Sequence, residues 1–334
     1  MLKYIIRRLL GAIPVLFGLS IVVFSVVHLI PGDPIRSLLG QHATPELVAE
    51  IKARMGLDRP LYEQYFIYLG QLLSGDLGKS VVNNRTVIDE LASRFPATIE
   101  LTVGALLLSI GLGVPLGRLA ARHVQGWSDG LITVISLLGI SIPIFVLGYT
   151  LQYIFAAQMH LLPASGRLDP RLDVEFRTNF VFVDSILALN GEALFDAFKH
   201  LILPAVALGT IPFAIITRIT RAAVLDVSNE DYVRTARAKG LTDSRVNSRH
   251  IMRNAWLPVT TVIGLQVGGL LAGAVITETV FSWPGVGSYI VNAIQDHDYL
   301  VVQSTILLFA VIFLVVNLIV DIGYAFLNPR IRYS

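Results

Sequence analysis

Asn229–Pro258 reads NEDYVRTARAKGLTDSRVNSRHIMRNAWLP, the most basic long connection in a chain otherwise built of uncharged apolar runs. Ser228-Asn229-Glu230-Asp231 has the Ser-x-x-Asp form of a helix-starting capping box, in which side-chain oxygens satisfy the unpaired N–H groups of a first turn. Tyr232, Thr235 or Ala236, and Lys239 then fall along one helical face, and Gly240 supplies a C-terminal stop. A short helix ending in glycine, carried on the positive side of a hydrophobic protein, has the form of a docking handle. On charge alone, an ordinary basic loop is the commoner reading.

Composition sets the class around that stretch. At 334 residues, 54% hydrophobic, 15% charged and a mean hydropathy of +0.67, the chain is too apolar for a water-soluble globular protein. The net charge is +2, and the basic residues are confined to particular loops, which leaves no nucleic-acid footprint. With no cysteine, disulfides and thiolate metal sites are excluded. Leu9–Ile30 holds 22 residues without Asp, Glu, Lys or Arg, long for a cleavable signal core. HLIPGDP follows it in place of a small-residue cleavage site, so the run reads as a retained membrane helix.

Six segments approach the roughly 20 residues that a spanning helix needs. They are 9–30, 98–117, 131–157, 201–217, 257–277 and 299–320. The expected fold is therefore all-α and integral to the membrane. The short fourth segment extends to Arg218 or Arg221, whose long side chains reach the headgroups. Lys3, Arg7 and Arg8 precede the first segment, and Arg118, Arg122 and His123 lie between the second and third. Arg218, Arg221, Arg234, Arg237, Lys239, Arg245, Arg249 and Arg253 lie between the fourth and fifth, and Arg330 and Arg332 close the chain. The connection from Glu278 to Asp298 has no Lys or Arg, so the positive-inside rule places both termini and Asn229–Pro258 in the cytoplasm. On the other side, TPELVAEIKARMGL, stopped by Gly56, and LYEQYFIYLGQLL read as amphipathic helices of a small extracytoplasmic cap.

Few residues suggest chemistry. Gly75-Asp-Leu-Gly78-Lys79-Ser80 has the wrong spacing for a phosphate-binding loop, and Gly111-Leu-Gly113 with Gly117 falls inside a membrane segment, where small residues serve packing. Gly264, Gly268, Gly269 and Gly273 let a backbone approach the fifth segment closely, either within the chain or beside a polar pathway that Gln266 would line. Glu100, Glu278 and Asp321 stand only at segment ends, which disfavours an ion-coupled transporter. Glu278, with Thr277 and Thr279, reads either as a substrate contact at the outer mouth or as an interfacial residue facing water or loop backbone. Phe281 and Trp283 are set on a Pro284-Gly285 turn that projects them toward a partner or an outer gate, Trp283 alternatively being an interfacial anchor. The seven histidines include no HExxH pair, and no serine sits in a nucleophile elbow, so neither a metal site nor a membrane enzyme is visible.

DYVRTARAKGL followed by RHIMRNAWLP resembles the coupling segment of type I ABC importer permeases, in the branch carrying dipeptides, oligopeptides and nickel. HLIPGDP at 28–34, ETVFSWPGVG at 278–287 and NPRIR at 328–332 resemble that branch in the same order, and the pattern is most similar to the B-type subunits of dipeptide importers. The wider superfamily carries a glutamate where this chain has Arg234, and its glycine-to-proline separation is shorter than Gly240 to Pro258. The resemblance implies six transmembrane helices with a cytoplasmic coupling helix, divided into residues 1–8, a first helix 9–30, an outer helical loop 31–97, a type-1 transmembrane domain 98–327 with its coupling loop at 221–256, and a cytoplasmic tail 328–334. It assigns ATPase coupling to Glu230, Asp231, Tyr232, Arg234, Thr235, Ala236, Lys239 and Gly240, with Ala236 leaving room for a partner surface. Gln266, Gly268, Glu278, Phe281 and Trp283 become the translocation path or outer gate. The implied partners are a second homologous permease, two ABC ATPases that bind ATP and Mg, an extracytoplasmic peptide-binding protein and the lipid bilayer of a bacterial inner membrane. No cofactor belongs to this chain. A nickel complex, glutathione, haem or an oligosaccharide are the alternative cargoes.

Overall fold

A computed structural model describes residues 2–29, 44–56, 58–80 and 82–327. The apolar runs fold as helices, in which every backbone N–H and C=O is satisfied within the segment, as a lipid environment demands. In chain order these are α1 (Leu2–Leu29), α2 (Pro45–Met55), α3 (Leu61–Leu73), α4 (Val87–Arg122), α5 (Trp127–Ser141) and α6 (Ile144–Leu151), which runs on into π-helical turns at Gln152–Gln158. Then follow α7 (Val181–Leu187), α8 (Gly191–Ser228), α9 (Asp231–Ala238), α10 (Asp243–Val280, π-helical at Val246–Met252), α11 (Val286–Gln295) and α12 (Tyr299–Leu327). Among the described residues the one β feature is an isolated bridge between Lys79 and Thr86.

The expected boundaries need correction. Among the described residues, α4, α8, α10 and Tyr299–Val320 of α12 are long and apolar enough to cross a membrane. α5 and α6 count as a fifth only if they form one broken span, since they are bent by 106°. α1 contains the apolar stretch Leu10–Val26, and the expected bound at Ile30 lies outside the described residues. The segments 98–117 and 201–217 are the middles of much longer helices, and Pro204 and Pro212 do not end α8. Within the expected coupling connection 221–256, α8 persists to Ser228 and α10 starts at Asp243, so residues 229–242, with α9 among them, lie between the two long helices. Hydropathy falls before the helix does, since arginine and lysine are good helix formers. The break between α5 and α6 has a local cause. Ile142 precedes Pro143, is pushed to an extended conformation (φ −86°, ψ 122°), and so cannot continue the helix. Most of HLIPGDP and all of NPRIR lie outside the described residues.

The chain forms two compact units, one from residues 1–96 with 284–315 and one from 97–283 with 316–334. In the first, Val87 and Leu91 of α4 pack with Val286, Tyr289, Val301 and Val302 of α11 and α12. Ser80 donates to Asp298 at 2.6 Å, and Asp298 in turn accepts from Val301 N to cap α12. In the second unit α8 is the central helix, with α4, α5 and α10 against it. α4 approaches α8 along Ala105, Ser109, Gly113 and Gly117, a four-residue spacing that keeps small side chains on one face. Ser109 Oγ lies 2.8 Å from the Gly209 carbonyl on α8. A Cβ at Gly117 would stand 2.4 Å from the Thr217 carbonyl oxygen and 2.8 Å from Thr220 Cβ, which no side chain tolerates.

Gly117→Ala should therefore lower the melting temperature of the purified protein, as overpacking costs about 1–3 kcal/mol. At Gly111 an added Cβ meets nothing within 4 Å, so Gly111→Ala should not lower it. Equal shifts for the two variants would contradict the packing.

Candidate functional site

The short helix α9 is held by its apolar face. Val233 and Ala236, one turn apart, are buried in a cluster with Ala223 and Val224 of α8 and Val246, Ile251, Met252, Ala255 and Val259 of α10. The helix does not begin with the expected capping box. Glu230 is its N-cap without a side-chain bond, and Ser228 Oγ instead donates to Val224 O at 2.5 Å, still serving α8. The helix ends as expected. Gly240 has φ +75°, its N–H donates to Arg237 O at 2.9 Å, and Leu241 N donates to Ala236 O at 3.3 Å. This is the paired closure of a Schellman motif, and Leu241 packs against the same cluster as Ala236.

Burial divides the sequence-named residues into two sets. Glu230, Asp231, Tyr232, Arg234, Thr235, Lys239 and Gly240 are exposed, together with Arg237 and Ala238, which the sequence reading did not assign to this site. Ala236 is 6% exposed and faces the protein's own core, so it offers no room to a partner. The sequence pattern misassigned it because Val233 and Ala236 form only half of an apolar stripe, the other half being supplied by α8 and α10. Tyr232 Oη accepts a 2.8 Å hydrogen bond from Asn254 Nδ2, which ties the exposed face to α10. Arg234 reaches Asp231 at 3.6 Å, both side chains being largely in water. Thr235 Oγ1 donates to Asp231 O, leaving Asp231, Arg234 and Ala238 as a face three and four residues apart.

The residues assigned to an outer gate are interior. Phe281 and Trp283 are about as buried as any side chains in the molecule, at 1% and 0% exposed, and neither projects from the Pro284-Gly285 turn. Trp283 Nε1 donates to Ala97 O at 2.8 Å, and its ring packs with Leu101, Leu208, Leu270 and Ala274. Glu278, also 0% exposed, accepts from Thr98 Oγ1 at 2.6 Å. It faces neither water nor an open mouth. Short-range patterns cannot reveal these partners, because Ala97 and Thr98 are some 180 residues away in sequence. Gln266 is half-buried and Gly268 buried, while Leu257, Leu265 and Ile276 on the same helix are exposed.

Two ion pairs between distant segments went unseen in the sequence. Arg167 donates from Nε and Nη2 to Glu100 Oε2 at 2.9 and 2.5 Å and from Nη2 to Asn179 O, while Glu100 Oε1 accepts from Phe182 N. This pair fastens the connection 159–190 to α4. Arg221 of α8 donates to both oxygens of Asp129 at the start of α5, at 2.6 and 2.8 Å, the fork geometry that favours arginine. Among the described residues no group of three or more His, Cys, Asp or Glu is placed to hold a metal ion.

Comparison with known proteins adds a family. The family described as binding-protein-dependent transport system inner membrane component matches residues 113–333, and its N-terminal companion matches residues 1–102. The chain is 46% identical over 333 residues to the dipeptide transport system permease protein DppB of Alkalihalophilus pseudofirmus, covering 100% of both chains. It is 48% identical over 335 residues to the di/tripeptide transport system permease protein DppB of Pseudomonas aeruginosa, again over 100% of both. The glutathione transport system permease protein GsiC of Escherichia coli is 41% identical over 334 residues, with 100% of each chain covered.

The seating of α9 generates a contrast between neighbouring alanines. Ala236→Trp overpacks the cluster at a cost of about 1–3 kcal/mol, so trypsin should cut after Arg237 and Lys239 roughly fivefold faster or more. Ala238→Trp, on the exposed side, should leave the cleavage rate unchanged. Equal sensitivity at both positions would mean that α9 is not seated by Ala236.

Proposed function

The chain belongs to the family of binding-protein-dependent transport system inner membrane components, and on that premise we propose that it is the permease subunit of an ATP-driven peptide importer, with dipeptides its principal cargo. The observation that carries the reading is α9, which turns a polar face outward while its apolar face is locked to α8 and α10. In this reading an ABC ATPase docks on Asp231, Arg234, Thr235, Ala238, Lys239 and Gly240, and Tyr232 transmits load to α10 through Asn254. Closure of the ATPase pair by ATP and Mg displaces α9, and α8 and α10 move with it because their ends share its core. A second permease subunit and an extracytoplasmic binding protein complete the importer, and the chemistry of hydrolysis lies in the ATPase chains.

The six-span arrangement with both termini in the cytoplasm belongs to the same proposal. It counts α1 and the bent α5–α6 pair as spans beside the four continuous helices. Glu278 and Trp283 act in it as positioning residues that fix the outer end of α10 against α4, Phe281 does the same against α8, and Gln266 and Gly268 are the path candidates. Glutathione is the second cargo reading, favoured by the 41% identity to a glutathione permease.

The complete importer in proteoliposomes tests the function. Uptake of labelled dipeptide should require ATP on the ATPase side and binding protein on the other, and an ion gradient alone should drive none. Glutathione in excess should not compete. ATP-independent uptake would refute the importer reading, and effective glutathione competition would transfer it to the second cargo. Ala238→Trp should lower uptake by roughly tenfold or more, the effect of a clash worth about 1.4 kcal/mol, without loss of thermal stability. Gly240→Val should impair uptake as well, since φ +75° strains a side chain by about 1–2 kcal/mol.

The absence of native cysteine allows a direct test of sidedness. An impermeant thiol reagent should label Ala238→Cys from the ATPase side alone and Ser282→Cys, also exposed, from the opposite side alone. Labelling of both from one side would overturn the topology.

A further inference from the structure

Arg118 and Arg122 stand on successive turns at the end of α4. Arg118 is half-buried, its Nε is enclosed without a hydrogen-bond partner, and the charge that bears on it is that of Arg122, which is exposed. Neither makes an ion pair or a hydrogen bond among the described residues. By contrast, Arg94, Arg167 and Arg221 each meet a carboxylate, at 3.0, 2.5 and 2.6 Å. A helix C-terminus favours cations, but neither guanidinium bonds a terminal carbonyl here.

The surroundings identify what such a pair would hold. Leu107, Leu112 and Leu119 on the same helix are exposed, and an added Cβ at Gly111 would meet nothing. Leu107 and Arg118, like Gly111 and Arg122, lie roughly three turns apart, so each arginine stands above an outward apolar position. The rise between them is about 16 Å, close to half the roughly 30 Å hydrocarbon thickness of a bilayer. Trp127, the first residue of α5, is 83% exposed, an indole suited to the headgroup level.

We propose that the α4–α5 turn holds the phosphate of an anionic phospholipid between Arg118 and Arg122, its acyl chain lying along Leu119, Leu112 and Leu107. This site shares no residue with the exposed face of α9 and does not depend on the cargo.

The test uses the complete importer in nanodiscs containing a minority of phosphatidylglycerol in phosphatidylcholine, without ATP. Lipid retained after detergent exchange is quantified by mass spectrometry. Phosphatidylglycerol should be enriched about thirtyfold over its bulk proportion, in line with two cations at a membrane surface. Arg118→Gln with Arg122→Gln should abolish that enrichment, and millimolar inorganic phosphate should not displace the lipid. Should the double variant fail to assemble, Arg122→Gln alone, at an exposed position, should reduce the enrichment several-fold. No enrichment in the unaltered protein, unchanged enrichment in the variants, or release by inorganic phosphate would each overturn the site. Because transport is not measured, such a failure leaves the importer reading untouched.

Discussion

The close crossing of α4 and α8 is the constraint on which the larger unit depends. With no side chain at Gly117, the α4 backbone comes up against α8, and Thr217 O would lie 2.4 Å from any Cβ placed there. In lipid, water expulsion does not drive helices together, so contact area and interhelical hydrogen bonds must do so. Ala105, Ser109, Gly113 and Gly117 provide both, since small residues admit the contact and Ser109 Oγ reaches Gly209 O at 2.8 Å. With α8 fixed in this way, its other faces seat α5 and α10, and its end forms part of the floor under α9.

Polar groups reinforce that frame where the sequence crosses between elements. Glu100 with Arg167, Asp129 with Arg221, and Glu278 with Thr98 each join segments far apart in the chain. A buried pair of this kind adds little net stability compared with apolar packing, but removal of one partner leaves the other desolvated, at roughly 3–5 kcal/mol for a charge. Their contribution is to fix which segments meet. Asp129 also accepts from Gln125 N, so the turn before α5 is held by the carboxylate that grips α8.

What could be read from the sequence follows the range of the interactions. Periodicity and apolar length located the helices, and Gly240 revealed its left-handed conformation, because a lone glycine after a basic helix has a local explanation. LYEQYFIYLGQLL coincides with α3, Leu61–Leu73, for the same reason. Helix ends were misplaced where charged turns continue a helix beyond its apolar part, as in α8. The capping box at Ser228 failed because that residue is still within the last turn of the preceding helix, where the Val224 carbonyl accepts its hydrogen bond. The exposure assigned to Phe281 and Trp283 was wrong because the surfaces that cover them come from α4, α6 and α8, which no window around residue 283 contains.

An eight-residue helix such as α9 is marginal in water on its own, since nucleation is costly and few hydrogen bonds follow it. It persists because Val233, Ala236 and Leu241 join a cluster made mainly by α8 and α10, and because Gly240 closes its last turn without strain. The exposed Asp231–Arg234 pair, 3.6 Å apart, adds under about 1 kcal/mol, and its composition can vary at little cost. An arginine at position 234 therefore places little demand on the fold. Position and orientation of α9 are set from beneath, by the buried side chains of Val233 and Ala236 and not by its exposed face. A force on its outer face is therefore delivered to the ends of α8 and α10 together, and neither can follow it alone without opening the cluster they share.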